Sequence, residues 1–103
     1  MDIIFKRSPT TANTALVLEF PVKGTKFLVK NLTDGDVYVA LKKLNDIEAD
    51  SSESVKGECV LIPENTAQLV VCRELPYVEG TNIVTVIPEA TSEKGVEVQC
   101  LKW

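Results

Sequence analysis

Apolar and polar residues alternate with period two along most of this chain, the pattern of strands that bury one face and wet the other. In Lys26-Phe27-Leu28-Val29-Lys30-Asn31, Phe27 and Val29 fall on one face and Lys26 and Lys30 on the other. From Asp36 to Lys43, Val37, Val39 and Leu41 oppose Tyr38, Ala40 and Lys42. Leu32-Thr33-Asp34-Gly35 lies between these runs, and an Asp-Gly flanked by alternating strands predicts a β-hairpin, with the glycine taking positive φ cheaply. Thr14 to Phe20 places Leu16, Leu18 and Phe20 together and is expected to stop at Pro21 and Gly24. Glu58 to Ile62 ends at Pro63, whose missing N–H breaks a ladder. Past Pro63-Glu64-Asn65-Thr66, Ala67 to Leu75 reads as a return strand ending at Pro76. Asn82 to Ile87 and Val96 to Lys102 supply two more strands, the second after a turn at Ser92-Glu93-Lys94-Gly95, and Met1 to Phe5 adds a short edge strand.

Seven or eight short strands with a turn about every ten residues predict an all-β fold, a small antiparallel β-sandwich of immunoglobulin-like or jelly-roll-like type. Residues 1–103 form a single domain, because a chain of 103 residues is of one-domain length. The one hint of helix is Val39 to Ala49, where Leu41, Leu44 and Ile47 recur at intervals of three, enough for a single turn. Residues 45–56 are acidic and serine-rich and read as a solvated crossover loop.

Composition then narrows the chemistry. There is no histidine, so neither a Ser-His-Asp nor a Cys-His arrangement can be assembled within the chain. A catalytic reading falls back on Asp46, Glu48 and Asp50, and a loop holds a general acid poorly without support. The same residues fail as an EF-type calcium loop, since Ser51 and Gly57 stand where glycine and glutamate are required. Asp34 and Asp36 are explained by turn chemistry. No catalytic, cofactor-binding or metal-ligating residue is expected, and no cofactor. Eleven basic against fifteen acidic side chains give a net charge of -4, with two arginines, Arg7 and Arg73; nucleic acid is not an expected partner. The longest apolar runs are four or five residues against the roughly twenty a membrane-spanning helix needs, so no membrane partner is expected. Met1 to Arg7 lacks an apolar core of signal-peptide length, which leads us to expect synthesis in the cytoplasm without export.

Asn31-Leu32-Thr33 matches the glycosylation sequon, and without a secretory signal it reads as turn chemistry. Phe20 and Phe27 are expected in the core. Tyr38, Tyr77 and Trp103 are the aromatic residues most open to an interface role, and they are also what a carbohydrate- or small-ligand-binding module would use. A sandwich has open edges that must be charged, covered or paired. Lys42-Lys43 and Arg73-Glu74 guard strand ends, whereas Met1 to Phe5 and Leu101-Lys102-Trp103 carry fewer guards, so pairing with a second copy or another protein is expected there.

Lys26 to Thr33 with Asp34-Gly35, the Leu61-Ile62-Pro63-Glu64-Asn65-Thr66 turn, and the Gly95-Val96-Glu97-Val98 strand resemble small β-sandwich proteins of bacteriophage and prophage structural modules, of the head-decoration, head-fibre and tail-associated accessory types. That resemblance implies a non-enzymatic structural protein, incorporated into a virion and working through contacts with virion proteins. It carries over no binding residue.

Cys59, Cys72 and Cys100 are odd in number, widely spaced, and each set in an apolar stretch, which reads as reduced core thiols rather than a zinc site or a disulfide. Thiol titration in denaturant is expected to return three groups per chain; a count of one would show a disulfide.

Overall fold

A computed structural model of the chain describes residues 4–41, 59–71 and 80–103. Eight strands are present among them: β1 (Ile4–Thr10), β2 (Leu16–Gly24), β3 (Lys26–Asn31), β4 (Val37–Ala40), β5 (Val60–Ile62), β6 (Ala67–Val71), β7 (Thr81–Pro88) and β8 (Ser92–Lys102). They form two antiparallel four-stranded sheets, ordered β1-β8-β3-β6 and β2-β7-β4-β5. The partners β1/β8, β2/β7, β3/β6 and β4/β5 are the rungs of one long hairpin, β1 to β4 against β5 to β8, rolled up so that β3 meets β8 and β4 meets β7. This is jelly-roll order, which decides between the two sandwich types left open by the sequence.

Alternation selects the inner faces as expected. Leu18, Phe20, Phe27, Val29, Val37, Val39, Ile62, Val70, Val84, Val86, Val96, Val98 and Cys100 form one buried cluster between the sheets. The rings of Phe20 and Phe27 meet across it with centroids 5.5 Å apart and planes tilted by 54°, a favourable aromatic geometry.

The Asp34-Gly35 hairpin is not formed. β3 pairs with β8 and β6, and β4 with β7 and β5, so the intervening segment is an arch from one sheet to the other. Period two shows that each run has a buried face, a condition met equally by a hairpin and by strands facing each other across a core. The turn decides between them. Neither Asp34 nor Gly35 has the positive φ of a tight hairpin. Asn31 and Thr33 instead turn inward and are fully buried. Asn31 Nδ2 lies 2.8 Å from the Gly35 carbonyl, 3.0 Å from that of Ile62 and 3.1 Å from that of Pro63, so its two hydrogens serve three acceptors. Asn31 Oδ1 accepts from the Thr33 backbone N–H at 3.0 Å and from its hydroxyl at 2.7 Å. The supposed sequon is therefore a buried polar knot. The turn after Pro63 is likewise an arch, for β6 returns to β3 and not to β5.

Other differences concern where strands stop. β2 runs through Pro21 to Gly24, because it is an edge strand whose ladder to β7 is interrupted between Glu19 and Gly24 and needs no proline N–H there. β1 extends past Phe5 to Thr10. Ser92 to Gly95 is no turn but a bulge within β8, with three residues standing opposite Pro9 alone. Gly95 permits it: its φ is +61°, and a Cβ there would collide with the Ser8 carbonyl oxygen. β8 is flanked by β1 and β3, with Cys100 paired to both Ile4 and Phe27 and Lys102 paired to Lys26. Cys59 lies just before β5. The turn of helix expected beyond Leu41, the loop at 45–56, and Lys42, Lys43, Cys72, Arg73, Glu74 and Tyr77 lie outside the described residues.

Asn31→Ala strands two or three buried polar groups at about 1–3 kcal/mol each, and is expected to lower unfolding stability by about 2–4 kcal/mol in denaturant titration. Asn31→Asp keeps the shape but aims a carboxylate at carbonyl oxygens, so it should cost at least as much.

Candidate functional site

The outer face of the β1-β8-β3-β6 sheet brings together residues distant in sequence. Because Val96, Val98 and Cys100 point into the core, Glu97, Gln99 and Leu101 point outward. Ladder register then fixes their neighbours. Arg7 on β1 and Lys30 on β3 stand directly opposite Glu97. Arg7 Nη2 and Nε donate to Glu97 Oε1 at 2.7 and 3.2 Å, while Lys30 Nζ and Gln99 Nε2 donate to Oε2 at 3.2 and 3.0 Å. Both carboxylate oxygens are thereby used, and the Glu97 side chain is only 8% exposed. The Arg7 guanidinium, with the Gln99 amide and the Lys30 ammonium, lowers its pKa from 4.5 to about 2 against the opposing effect of burial.

One rung further along the face runs a row that is apolar except at Gln99. Phe5 stands opposite Gln99, Gln99 opposite Leu28, and Leu28 opposite Leu69, crossing the sheet from edge to edge. Leu101 and Val71 extend it. Phe5, Leu69, Val71 and Leu101 are 53%, 47%, 46% and 46% exposed. Large side chains so placed on a flat sheet form a patch, not scattered singletons, and such patches mark interaction sites. Lys26, opposite Val71 and Lys102, joins the bases Arg7 and Lys30 on this face, which is locally basic in a chain of net charge -4. On the other sheet the central strands differ: Thr85 and Ile87, which alternate outward on β7, are buried, as is Ala40 on β4, while Val17 and Leu61 on its two edge strands are exposed.

Two of the three aromatic candidates can be placed. Tyr38 is half-buried on β4, its hydroxyl donating to Glu89 Oε1 at 3.2 Å, near the end of β7 that holds Ile87. Trp103 follows β8 at the opposite end, where the Thr25 N–H donates to the Lys102 carbonyl at 2.8 Å and Gly24 pairs with Thr81. They belong to different sheets and opposite ends, separated by about the length of β7, roughly 20 Å. They do not form one site.

Among the described residues, no three Cys, Asp or Glu side chains come together to hold a metal ion. No helix among them is long and apolar enough to cross a membrane. Burial of Cys100 pushes its thiol pKa upward, which leaves a poor nucleophile. Comparison of the chain with family models, curated proteins and solved structures found no match.

Neither Arg7, Glu97 and Lys30 nor the apolar row is apparent from the sequence as a group. Alternation alone turns Glu97 and Gln99 outward, but only the register makes them neighbours of residues ninety and seventy positions away.

Glu97 yields a pH prediction. Its folded pKa lies below its unfolded value, so the unfolded chain binds more protons between about 4.5 and 2. The stability it contributes is complete above that window and is lost as pH falls through it. The shift corresponds to at most about 3 kcal/mol, and solvent screening at Arg7, whose side chain is 64% exposed, reduces this to about 1–2 kcal/mol. Glu97→Gln is expected to flatten the acid limb of the stability profile by that amount, read from denaturant midpoints at successive pH values.

Proposed function

We propose that this domain is a non-enzymatic interaction protein, an accessory component of a phage or prophage virion, that docks through the outer face of the β1-β8-β3-β6 sheet. The observation that carries this reading is the group Phe5, Leu69, Val71 and Leu101, exposed together with the half-buried Leu28 on a sheet whose register is held by the Glu97 ion pairs. Burying such a row against a partner gains roughly 25 cal/mol per Å² of apolar surface removed from water. Little ordering cost accompanies it, because the side chains stand on strands and not on loops. The local excess of bases favours a partner surface that sets acidic residues beside its own apolar ones. The jelly-roll order adds a fold-level analogy, since viral capsid domains use it, though the same order also serves lectins and cupins.

Capsid, portal or tail proteins encoded beside this gene are the partners to purify and mix with the domain, with binding read by light scattering. Complex formation is expected, weakened at least about tenfold by Phe5→Glu or Leu101→Glu, as for a side chain central to an interface. Leu61→Glu, equally exposed on the other sheet, is expected to bind as the parent does. Equal loss in all three variants, or none in any, would remove this face as the docking surface.

A further inference from the structure

The four strand edges of the sandwich are not protected alike. An open edge presents unpaired N–H and C=O groups, and proteins blunt it with charge, proline, bulges or brevity. β1 carries Lys6, Arg7 and Pro9 and breaks register between Ser8 and Thr10. β2 carries Glu19, Pro21 and Lys23 and an interrupted ladder. β5 is three residues long. Within its described residues, Ala67–Val71, β6 has none of these devices. Ala67-Gln68-Leu69-Val70-Val71 is uncharged and free of proline, pairs with β3 without a register break, and forms the end of its sheet. Gln68 is exposed although it alternates with the inward Val70, and Ala67, Leu69 and Val71 are exposed on the outer face.

We infer that β6 pairs with β6 of a second copy of this chain, antiparallel about a two-fold axis at Leu69, joining the two β1-β8-β3-β6 sheets into one of eight strands. The segment is self-complementary in that register. Leu69 meets Leu69 of the second copy, Ala67 meets Val71, and Gln68 meets Val70. Every outer-face pair is apolar, and no like charges oppose each other although each chain has a net charge of -4. The ladder groups left open by β3 are satisfied by a closed, isologous contact that cannot propagate into a fibre. The apolar residues at this end of the face also become contiguous, passing from Leu28 and Leu69 of one copy into the same residues of the other. This inference goes beyond the docking proposed above, since it uses the backbone edge and needs no other protein.

Sedimentation equilibrium of the full chain across the micromolar to millimolar range tests it. Twice the monomer mass is expected to accumulate with concentration, accompanied by slowed amide exchange within residues 67–71. Leu69→Lys sets two ammonium groups together at the axis and is expected to weaken the dimer at least about tenfold. Its solvent-facing position leaves the core untouched, and a far-ultraviolet circular dichroism spectrum matching the parent's checks that. Phe5→Glu, on the far edge of the same face, and Leu61→Lys, on the other sheet, are expected to dimerise as the parent does. A parent chain that stays monomeric throughout overturns the inference, and so does a dimer that survives Leu69→Lys or is lost in Leu61→Lys. Phe5→Glu separates the two ideas, because it weakens docking to another protein while sparing the dimer.

Discussion

The side-chain amide of Asn31 is the contact on which this topology most depends. A jelly roll requires repeated passage from sheet to sheet: of the steps between successive described strands, only β4 to β5 stays within one. Each passage leaves backbone groups without ladder partners at the end of the sandwich, and buried groups of that kind must be satisfied. Asn31 bonds the β3–β4 arch to itself through Gly35 and to the β5–β6 arch through Ile62 and Pro63. Its backbone N–H reaches the Thr66 carbonyl at 2.8 Å, and that of Leu32 reaches Gly95 on β8 at 3.0 Å. The β7–β8 arch is tied in turn by the Glu89 N–H to the Asp36 carbonyl at 3.0 Å, and to the first arch by the Thr10 hydroxyl to the Ala90 carbonyl at 2.8 Å. One end of the sandwich is thus a hydrogen-bonded plate, and the sheets cannot separate without opening it.

Where Asn31 holds the sheets together, Glu97 specifies how strands sit within one of them. Sliding β8 by one residue would turn Glu97 into the core and Val96 and Val98 out to solvent. A carboxylate buried away from Arg7 and Lys30 is far more costly than a misplaced valine. The acid therefore penalises the wrong register, while its paired bases reward the right one. Because β8 is interior and Glu97 touches both neighbouring strands, the apolar row one rung away inherits that order.

The sequence reveals what depends on a residue's own neighbours and conceals what depends on register. Phe20, Phe27, Val29, Val37 and Val39 declare their burial through alternation, and every described strand has its counterpart in a sequence run. Asp34-Gly35 carries a strong local preference for a hairpin, and the buried Asn31-Thr33 pair overrides it to make an arch. The sequon pattern held the relevant signal, an Asx-type turn at Asn31 and Thr33, but an exposed turn and a buried knot share that spacing. Pro21 and Ser92 to Gly95 looked like stops, and became an edge irregularity and a bulge once the pairing partners were known. The Arg7, Glu97 and Lys30 group had no local signal at all, since its members lie on three separate runs.

The two outer faces show why the exposed apolar row is hard to regard as incidental. On the β2-β7-β4-β5 sheet, outward positions such as Thr85, Ile87 and Ala40 are buried. Its central strands are covered, and the apolar residues it leaves in water, Val17 and Leu61, stand apart on its two edge strands. On the β1-β8-β3-β6 sheet, Phe5, Leu69, Val71 and Leu101 remain in water although polar residues are tolerated there, as Gln99 and Lys30 show. Replacing any of the four by a polar residue would disturb no core contact and would improve solubility. Fold stability therefore does not account for their exposure. A group of such residues beside a fixed ion-pair cluster, reaching the uncharged edge strand β6, is the physical feature that sets this sheet apart from the other.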